Sequence, residues 1–543
     1  MSMRIQLVFV PGRRARLHSL CPKTTPLMIT GMLRGDGIAA DFSDFGVLGA
    51  FDTGAVQPDV GHADTMGAGW MRFWGRSGGI FASASNDSAI GQENYGAWLS
   101  QTGQHLLTTS PSLIAWYVED RDGYIASKAV SGYIRKCAPH IHQTILGPYM
   151  TRFGASAMTE FLFVDTAILG EETETLSALA ENLGNVQAWR HIPGLLFRDG
   201  ATLVHNPTPQ PPMHTPRFGD TTYLPDHAGA VTPRGQFAIY PLSFIAHGAD
   251  SKHLALDSPP QWPQTETSVF NAICALNRRY GAGAFQIEAS HASRAALECF
   301  AEALLSQNVM AVYSLGGLTE PFDAALADRL FASGCRAVGF HAPTGSQRLL
   351  EDFHGRDMSI SAIRATLRCC RAAGLFTAVH LCYPCPRDDY HTRAETELFI
   401  EACRPDGLHI EAPVLHPESL WFKRAPAYGF QLDYRAYQKW VGGQNVSPYR
   451  MQGWKNGRPK EARQSLMEAA LQSGCIPGVT ELYGLLARIA RSAMDEPVFL
   501  EQLKHALAIN DTKQMRFLMA QINGTLDILQ SPDASMRHAA EAL

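Results

Sequence analysis

The chain has 543 residues, of which 45% are hydrophobic and 18% are charged, and its formal net charge is −5. This length predicts two to four domains, and the charge is too weak to indicate a nucleic-acid-binding surface. No apolar run reaches the ~18 residues that a transmembrane helix needs, and the apolar stretch Ile5–Val10 is too short for a signal peptide. Eleven scattered cysteines are not typical of a disulfide framework. We therefore expect a cytoplasmic, reduced protein with no nucleic-acid partner and no membrane partner.

The first third of the chain alternates between strand and helix patterns. Such alternation favours an α/β domain with a parallel sheet and with ligand sites at the carboxyl ends of its strands. We place this Rossmann-like domain at residues 1–205, with the Gly/Ser-rich segment Gly54–Ser110 forming loops over the sheet. The predicted elements are strands at Arg4–Val10, Ile38–Phe45, Gln143–Leu146 and Phe161–Leu169, and helices at Thr25–Leu33, Gly123–Lys136 and Glu174–Leu183.

A proline-rich linker at residues 206–232 separates this domain from six further strand–helix units. Six such units predict a partial (β/α)6 TIM-type barrel at residues 233–432, with chemistry at the carboxyl ends of the strands. The strands are predicted near Phe237–Ile245, Ala284–Glu288, Met310–Ser314, Ala337–Phe340, Phe376–Leu381 and Gly407–Glu411.

Residues 433–543 predict a helical C-terminal region. Val479–Arg491 carries leucine and isoleucine side chains on one helical face, which indicates a packing stripe. The pair Asn510–Asp511 is typical of a cap for the helix that follows it.

Three stretches of the chain occur in a specific order, although each is a weak motif alone. GEETETL contains Glu171, HIPGLLFRDGATLVHNP spans His191–Pro207, and a longer stretch runs from Phe340 to Pro386. Together they resemble the cobalamin-binding branch of the radical S-adenosylmethionine superfamily, over about residues 1–432. The resemblance implies that the Rossmann-like domain binds cobalamin and that the barrel is of the radical-enzyme type.

One loop departs from the family pattern. Members of the family carry three cysteines, spaced C-x3-C-x2-C, after the first barrel strand, and these thiolates hold an iron–sulfur cluster. The corresponding loop here, Ser243–Asp257, contains no cysteine. We therefore expect neither an iron–sulfur cluster nor cluster-driven radical initiation. His247, Asp250 and His253 could hold a harder divalent ion, but a polar surface loop is the simpler interpretation, and we assign no metal site.

The resemblance also implies where cobalamin binds, between the carboxyl-end loops of the first sheet and the barrel mouth. The sequence has no Asp-x-His-x-x-Gly motif, so we expect no histidine ligand to cobalt. By position, the loop Pro11–Cys21 would border the corrin, and a glycine in the second loop would let the backbone approach the nucleotide tail. The alternative is that these glycines are ordinary features of an open α/β domain. The predicted cofactor-binding residues are Gly12, Arg13, Cys21, Gly147, Pro148, Tyr149 and Glu171.

Several polar residues stand at the ends of predicted barrel strands. Glu288 ends the second strand and could bind a ribose hydroxyl or an amine, or form a structural ion pair. His341 and His380, on the fourth and fifth strands, could be catalytic or satisfied core groups. We assign catalytic roles to Glu288 and His341. Gly316–Gly317 would allow close approach of a ligand or form a plain turn, and the CxxC turn that begins at Cys382 predicts a buried thiol pair.

These features predict a cobalamin-dependent enzyme without an iron–sulfur cluster, which performs methyl transfer or related chemistry on a natural product or a peptide. S-adenosylmethionine is a candidate second cofactor, and a reductase is a candidate partner. The alternative is a non-catalytic cobalamin-binding partner subunit of a radical S-adenosylmethionine enzyme. A metal-dependent hydrolase that uses the His247 loop has the least support.

Overall fold

The structure, a computed structural model, describes residues 3–10, 23–45, 100, 102–170, 172–207, 239–243, 266–290, 292–354, 359–417, 419–452, 458–509 and 511–530. Within these residues the chain forms two seven-stranded sheets with flanking helices, and further helices follow the second sheet. This confirms the predicted fold class. Among the described helices, none combines the length and the apolar character that a bilayer span requires. Nearly all of the predicted linker and of the cysteine-free loop lies outside the described residues.

The first sheet belongs to the amino-terminal domain. Its elements are β1 (Arg4–Phe9), α1 (Thr24–Gly35), β2 (Ala39–Asp44), β3 (Leu113–Tyr117), α2 (Arg121–Cys137), β4 (His142–Leu146), α3 (Pro148–Glu160), β5 (Thr166–Ile168), α4 (Glu172–Glu181), α5 (Val186–Trp189), β6 (Leu195–Asp199) and β7 (Thr202–His205). The strand order is β2-β1-β3-β4-β5-β6-β7. Strands β1 to β5 are parallel, and β3 is apolar throughout because helices cover both of its faces.

At the β7 edge of this sheet, the strands pair antiparallel instead of parallel. The connector that resembles the family motif forms the hairpin β6–β7, and β6 pairs antiparallel with β5. The strand predicted at Phe161–Leu169 is shorter in the structure, because its first half is a turn. There the Arg135 guanidinium donates a 2.8 Å hydrogen bond to the Phe163 carbonyl, which holds the turn against α2.

The second sheet is the partial barrel, and all six predicted strands are present. Its elements are β8 (Ile239–Ser243), α6 (Glu266–Tyr280), β9 (Ala284–Glu288), α7 (Arg294–Ser306), β10 (Val312–Leu318), α8 (Ala324–Ala332), β11 (Cys335–His341), α9 (Gln347–His354), α10 (Ile360–Ala372), β12 (Phe376–Cys382), α11 (Tyr390–Cys403) and β13 (Gly407–Glu411). Neighbouring strands pair in parallel in chain order. Side-chain caps fix the starts of the crossover helices α7, α8, α10 and α11. At α11, the Asp389 side chain accepts hydrogen bonds from two backbone N–H groups.

The rest of the chain adds one strand to the second sheet and forms a two-stranded sheet of its own. Its elements are α12 (Leu420–Lys423), β14 (Phe430–Leu432), α13 (Tyr434–Val441), β15 (Tyr449–Met451), α14 (Arg458–Gln472), β16 (Ile476–Pro477), α15 (Glu481–Ala490), α16 (Glu496–Ile509) and α17 (Thr512–Gln530). Strand β16 extends the barrel sheet by pairing in parallel with β13, and β14 pairs antiparallel with β15. The predicted packing stripe is α15, and the Asp511 carboxylate caps α17 by accepting two backbone hydrogen bonds of 3.1 Å.

Helix α15 lies on the inner face of the barrel. Its apolar side chains pack against small and aromatic residues at the amino ends of the strands, among them Ala284, Ala337 and Phe376. The crossover helices α6 to α11 pack against the opposite face of the same strands. Helix α15 therefore closes the amino-terminal half of the barrel and leaves the carboxyl-terminal half for a site.

Helix α13 joins the barrel to the amino-terminal domain. The Arg121 guanidinium, at the start of α2, donates hydrogen bonds to the carbonyls of Trp440 (2.9 Å) and Gln444 (2.7 Å). The buried Tyr149 hydroxyl of α3 donates to the Val441 carbonyl at 2.8 Å. These bonds fix the orientation of the first sheet relative to the segment that follows the last full barrel strand.

Candidate active site inside the barrel

The inner face of the barrel changes from apolar to ionisable along four strands, β9, β11, β12 and β13. Alternate residues of a strand share a face, so residues at steps of two from the inward-facing amino ends also face inward. Small or apolar side chains occupy the first positions and pack on α15. The inward series end on Glu288 in β9, His341 in β11, His380 in β12, and His409 with Glu411 in β13.

Three histidines form a row across neighbouring strands. His341 is in register with His380, and His380 is in register with His409. The ring centroids of His341 and His380 are 6.4 Å apart, and those of His380 and His409 are 5.3 Å apart. The interior of the carboxyl-terminal half of the barrel is called the chamber below. The histidine row lines one level of this chamber, at the carboxyl ends of β11 to β13.

Glu481 enters this chamber from the first turn of α15. Its side chain is only 5% exposed, and its Oε2 lies 2.7 Å from Nε2 of His380. Glycines on two strands leave the space for it: a Cβ at Gly316 would lie 2.8 Å from Glu481 Oε1, and one at Gly339 would overlap Oε2. Burial lowers the pKa of His380, but Glu481, with smaller contributions from Glu411 and Glu288, raises it overall.

Glu288 is a second glutamate next to the Glu481 carboxylate. Its carboxylate accepts hydrogen bonds from the Ser290 hydroxyl and from the Ser290 backbone N–H. Burial raises the pKa of Glu288, and the neighbouring Glu481 adds to this, while Ser290 and His380 oppose it. A Cβ at Gly317 would overlap the Glu288 carboxylate, so the predicted space beside Gly316–Gly317 is taken by the two glutamates.

His409 and Glu411 form a second pair nearer the barrel opening. The His409 Nε2 lies 2.9 Å from Glu411 Oε1, and the Glu411 side chain is 53% exposed. The hydrogen bond from His409 is the main cause that lowers the pKa of Glu411 to about 2. The chamber therefore contains two histidine–glutamate pairs, one deep and one at the rim.

Comparisons with known proteins bear on the fold. No family model matches the chain, and no curated protein sequence matches it. Among solved structures, the radical S-adenosylmethionine methyltransferase TsrM from Kitasatospora setae, with cobalamin and a 4Fe–4S cluster bound, superposes with a TM-score of 0.62 at 13% identity, covering 98% of this chain and 100% of that one. The cobalamin-dependent S-adenosylmethionine radical enzyme OxsB, with aqua-cobalamin and S-adenosylmethionine bound, gives 0.52 at 12% identity, covering 100% of this chain and 75% of that one.

This chain has the fold of the cobalamin-dependent radical S-adenosylmethionine enzymes. The family resemblance inferred from the ordered motifs is thereby confirmed at the level of structure. The sequence resemblance places the three cysteines of the family in the loop that follows the first barrel strand. Strand β8 is that strand, since its residues pair in parallel with β9 from Ile239 with Ala284 to Ser243 with Glu288. The residues that follow, to Asp257, contain no cysteine.

The sequence resemblance predicts that cobalamin binds at the carboxyl edge of the first sheet, and this placement stays a prediction. Near this edge the buried Lys23 forms a 2.7 Å ion pair with Glu119. Gly147 has φ +105°, and a Cβ there would lie 2.6 Å from the Val118 carbonyl oxygen, so packing between strand ends already requires this glycine.

The predicted cofactor-binding residues fall into two groups. Gly147, Pro148 and Tyr149 lie between β4 and α3, and their contact with a cofactor stays a prediction. The others lie outside the described residues, as do the histidines and the aspartate of the cysteine-free loop: Gly12, Arg13, Cys21 and Glu171, and His247, Asp250 and His253. Within the part of the chain that is described, no group of three or more His, Cys, Asp or Glu side chains could hold a metal ion.

The CxxC turn after β12 is a buried thiol pair, as predicted. Cys382 and Cys385 are each 1% exposed and pack in the core shared with the amino-terminal domain. Burial, together with the neighbouring Cys382 thiol, raises the pKa of Cys385 well above its usual range. These thiols are therefore core groups rather than thiolate ligands.

The structure brings Glu288, His341 and His380 into one chamber, and it adds three residues that the sequence analysis missed. His409 and Glu411 were detectable, because they share the inward alternation of a strand that was correctly predicted. Glu481 had a weaker signal, a single carboxylate in the first turn of a helix that is otherwise almost wholly apolar.

Proposed function

We propose that this protein is a cobalamin-dependent methyltransferase that works on the radical-enzyme scaffold without an iron–sulfur cluster. The ordered motifs, the fold and the cysteine-free loop after β8 support the proposal. TsrM is a methyltransferase with cobalamin bound, and OxsB has both aqua-cobalamin and S-adenosylmethionine bound. Bound cobalamin would supply a metal centre that carries a methyl group between a donor and an acceptor without cluster-derived radicals.

The observation that carries an enzymatic function is the ionisable interior of the barrel. A buried carboxylate that loses its partner destabilises a fold strongly, whereas an apolar filling of similar volume is often neutral or stabilising. Glu481 and Glu288 nevertheless occupy the chamber, and glycines on β10 and β11 make room for them. A non-catalytic partner subunit would need only a packed barrel. The chamber therefore favours catalysis over the alternative of a partner subunit.

The residues of the chamber have distinct tasks in this proposal. Glu288, at the carboxyl end of β9, would bind an ammonium or a ribose hydroxyl of S-adenosylmethionine by a charge-assisted hydrogen bond. His341 would face the acceptor, which we propose to be a small natural product or a peptide. Helix α15 closes the amino end of the barrel and excludes water from that side. A reductase would serve as the partner that returns oxidised cobalamin to its reactive state.

Metal and sulfide analysis tests the absence of the cluster. The protein is purified anaerobically with cobalamin supplied, and bound cobalt, iron and acid-labile sulfide are measured. We expect cobalt without iron or sulfide, and stoichiometric iron with sulfide would refute the proposal. Ser243, His247 and Asp250 stand at the C-x3-C-x2-C spacing, so the triple variant Ser243→Cys/His247→Cys/Asp250→Cys is a matched control. It should acquire iron and sulfide if this loop is the cluster loop of the fold.

Product analysis separates the enzyme from the partner subunit. With cobalamin, a low-potential reductant and methyl-labelled S-adenosylmethionine, the protein alone should release S-adenosylhomocysteine. Release only after a second protein is added would favour the partner subunit instead. Cobalamin binding in a protein that forms no product under either condition would contradict the methyltransferase proposal.

A further inference from the structure

His380 lies in the middle of the histidine row. The Glu481 carboxylate contacts it from the amino-terminal side of the barrel. Its Nε2 lies 2.7 Å from Glu481 Oε2, and the Glu481 side chain is 5% exposed. The His380 ring itself is partly exposed towards the chamber, with a side-chain exposure of 24%. It is therefore reachable by a ligand in the chamber, while the carboxylate that orients it is not.

A carboxylate bonded to an imidazole is the arrangement that makes histidine an effective general base. The carboxylate holds the ring in one orientation and stabilises the imidazolium that forms when the ring takes a proton. The other charged and titratable groups that face His380 are Glu288 from β9, His341 from β11, and His409 with Glu411 from β13. The carboxylates among them also favour the protonated ring.

The deep pair and the rim pair differ in how strongly the carboxylate acts. Glu411 of the rim pair is 53% exposed, so its charge is open to water and salt. Glu481 lies in the barrel interior, where a charge interaction is stronger. His380 is consequently the bonded histidine whose partner carboxylate is better shielded from water.

From this geometry we infer that the His380–Glu481 pair accepts the proton that the methyl acceptor loses. The inference rests on the proposed methyl transfer and adds a substrate class to it: the acceptor atom is an oxygen, nitrogen or sulfur that carries an ionisable hydrogen. An unactivated carbon is not in this class, because imidazole is far too weak a base for its hydrogen.

The step balances without a change of oxidation state. The bond between the methyl carbon and the sulfonium sulfur of S-adenosylmethionine breaks, and its electron pair stays on sulfur. Bound cobalamin would hold the methyl group between donor and acceptor, and the bond to it would break with its electron pair left on the carrier. The lone pair of the acceptor atom forms the new bond to carbon. The hydrogen of the acceptor leaves as a proton to the His380 imidazole, which later releases it to water.

The pairing is tested by histidine NMR, independently of activity. Full-length protein labelled with 13C at Cε1 of histidine is titrated, and the His380 resonance is identified by its loss in His380→Gln. We expect Glu481→Gln, which keeps size and hydrogen bonding, to lower the pH at which His380 titrates. The exposed His140 supplies a matched control, because His140→Gln should leave the His380 titration unchanged. An unchanged midpoint in Glu481→Gln would overturn the pairing.

The base role is tested with two probe acceptors on cobalamin-loaded protein. 2-Mercaptoethanol carries an ionisable S–H, whereas 2-(methylthio)ethanol accepts a methyl group at sulfur without losing a proton. General-base catalysis is worth about 10²–10⁴-fold, so His380→Gln should slow thiol methylation by at least about 10²-fold and leave thioether methylation unchanged.

The outcomes separate the inference from the proposed function. Equal slowing with both probes would show a positioning role for His380 and overturn the inference, as would an unaffected thiol rate. If wild-type protein methylates neither probe, the methyltransferase proposal fails and the base role fails with it. His140→Gln should retain wild-type rates with both probes.

Discussion

Substitution of Gly339 by alanine should destabilise the barrel through one side chain, Glu481. The added Cβ would overlap Glu481 Oε2, and it would lie 2.8 Å from the Glu481 carboxyl carbon and 3.1 Å from His380 Nε2. The carboxylate cannot move away freely, because its 2.7 Å bond to His380 would break. Overpacking of this kind costs about 1–3 kcal/mol. At about 2 °C per kcal/mol for a unit of this size, the melting temperature should fall by about 2–6 °C.

A double-mutant cycle measured by differential scanning calorimetry isolates the contact. In a Glu481→Ala background the overlapping atoms are gone, so Gly339→Ala should cost little. The interaction energy between positions 339 and 481 should therefore be about 1–3 kcal/mol. Gly524→Ala is the control, since nothing lies within 4 Å of a Cβ at that helical position and alanine favours helix. Equal destabilisation by Gly339→Ala in both backgrounds would refute the placement of Glu481 in the barrel.

Three further predictions concern the domain contact, the buried thiols and the deep ion pair. Arg121→Ala removes two hydrogen bonds between the domains, so limited proteolysis should cleave between them faster than in wild type; an unchanged cleavage rate would contradict the docking role. Iodoacetamide should label the exposed Cys299 before the buried Cys385 in native protein, as peptide mass mapping can check. Because the pKa of His380 is raised in the folded state, its pairing stabilises the fold below a pH of about 6.5 and the effect is lost as pH rises through the folded-state pKa. The melting temperature of wild type should therefore exceed that of Glu481→Gln by more at pH 6 than at pH 9, and the reverse trend would show that the pair is absent.

The sequence predicted the strands well because each barrel strand is a short apolar run between helical patterns. The same runs located Glu288 and His341, since polar residues at the carboxyl ends of parallel strands share one edge of a sheet. The cysteine-free loop could be assigned because motif order fixed which strand came first, and β8 has that place in the structure.

The sequence could not predict what the tail contributes. Glu481 lies far along the chain from its partner His380, and apolar periodicity shows only that α15 is buried, not against which surface. The sequence therefore predicts only a separate helical region for the tail. Its entry into the barrel depends on small inward residues on several strands, a complementarity of shape that no single helix or strand pattern reveals.

The position of α15 also affects how the protein is made. During synthesis, the six strands from β8 to β13 leave the ribosome before the helix that fills their concave face. Until Glu481 has emerged, the apolar inner residues of those strands and the unpaired His380 remain open to water or to other chains. We expect ribosome-bound intermediates that end before residue 481 to need chaperone protection, and the chamber to be one of the last parts of the molecule to form.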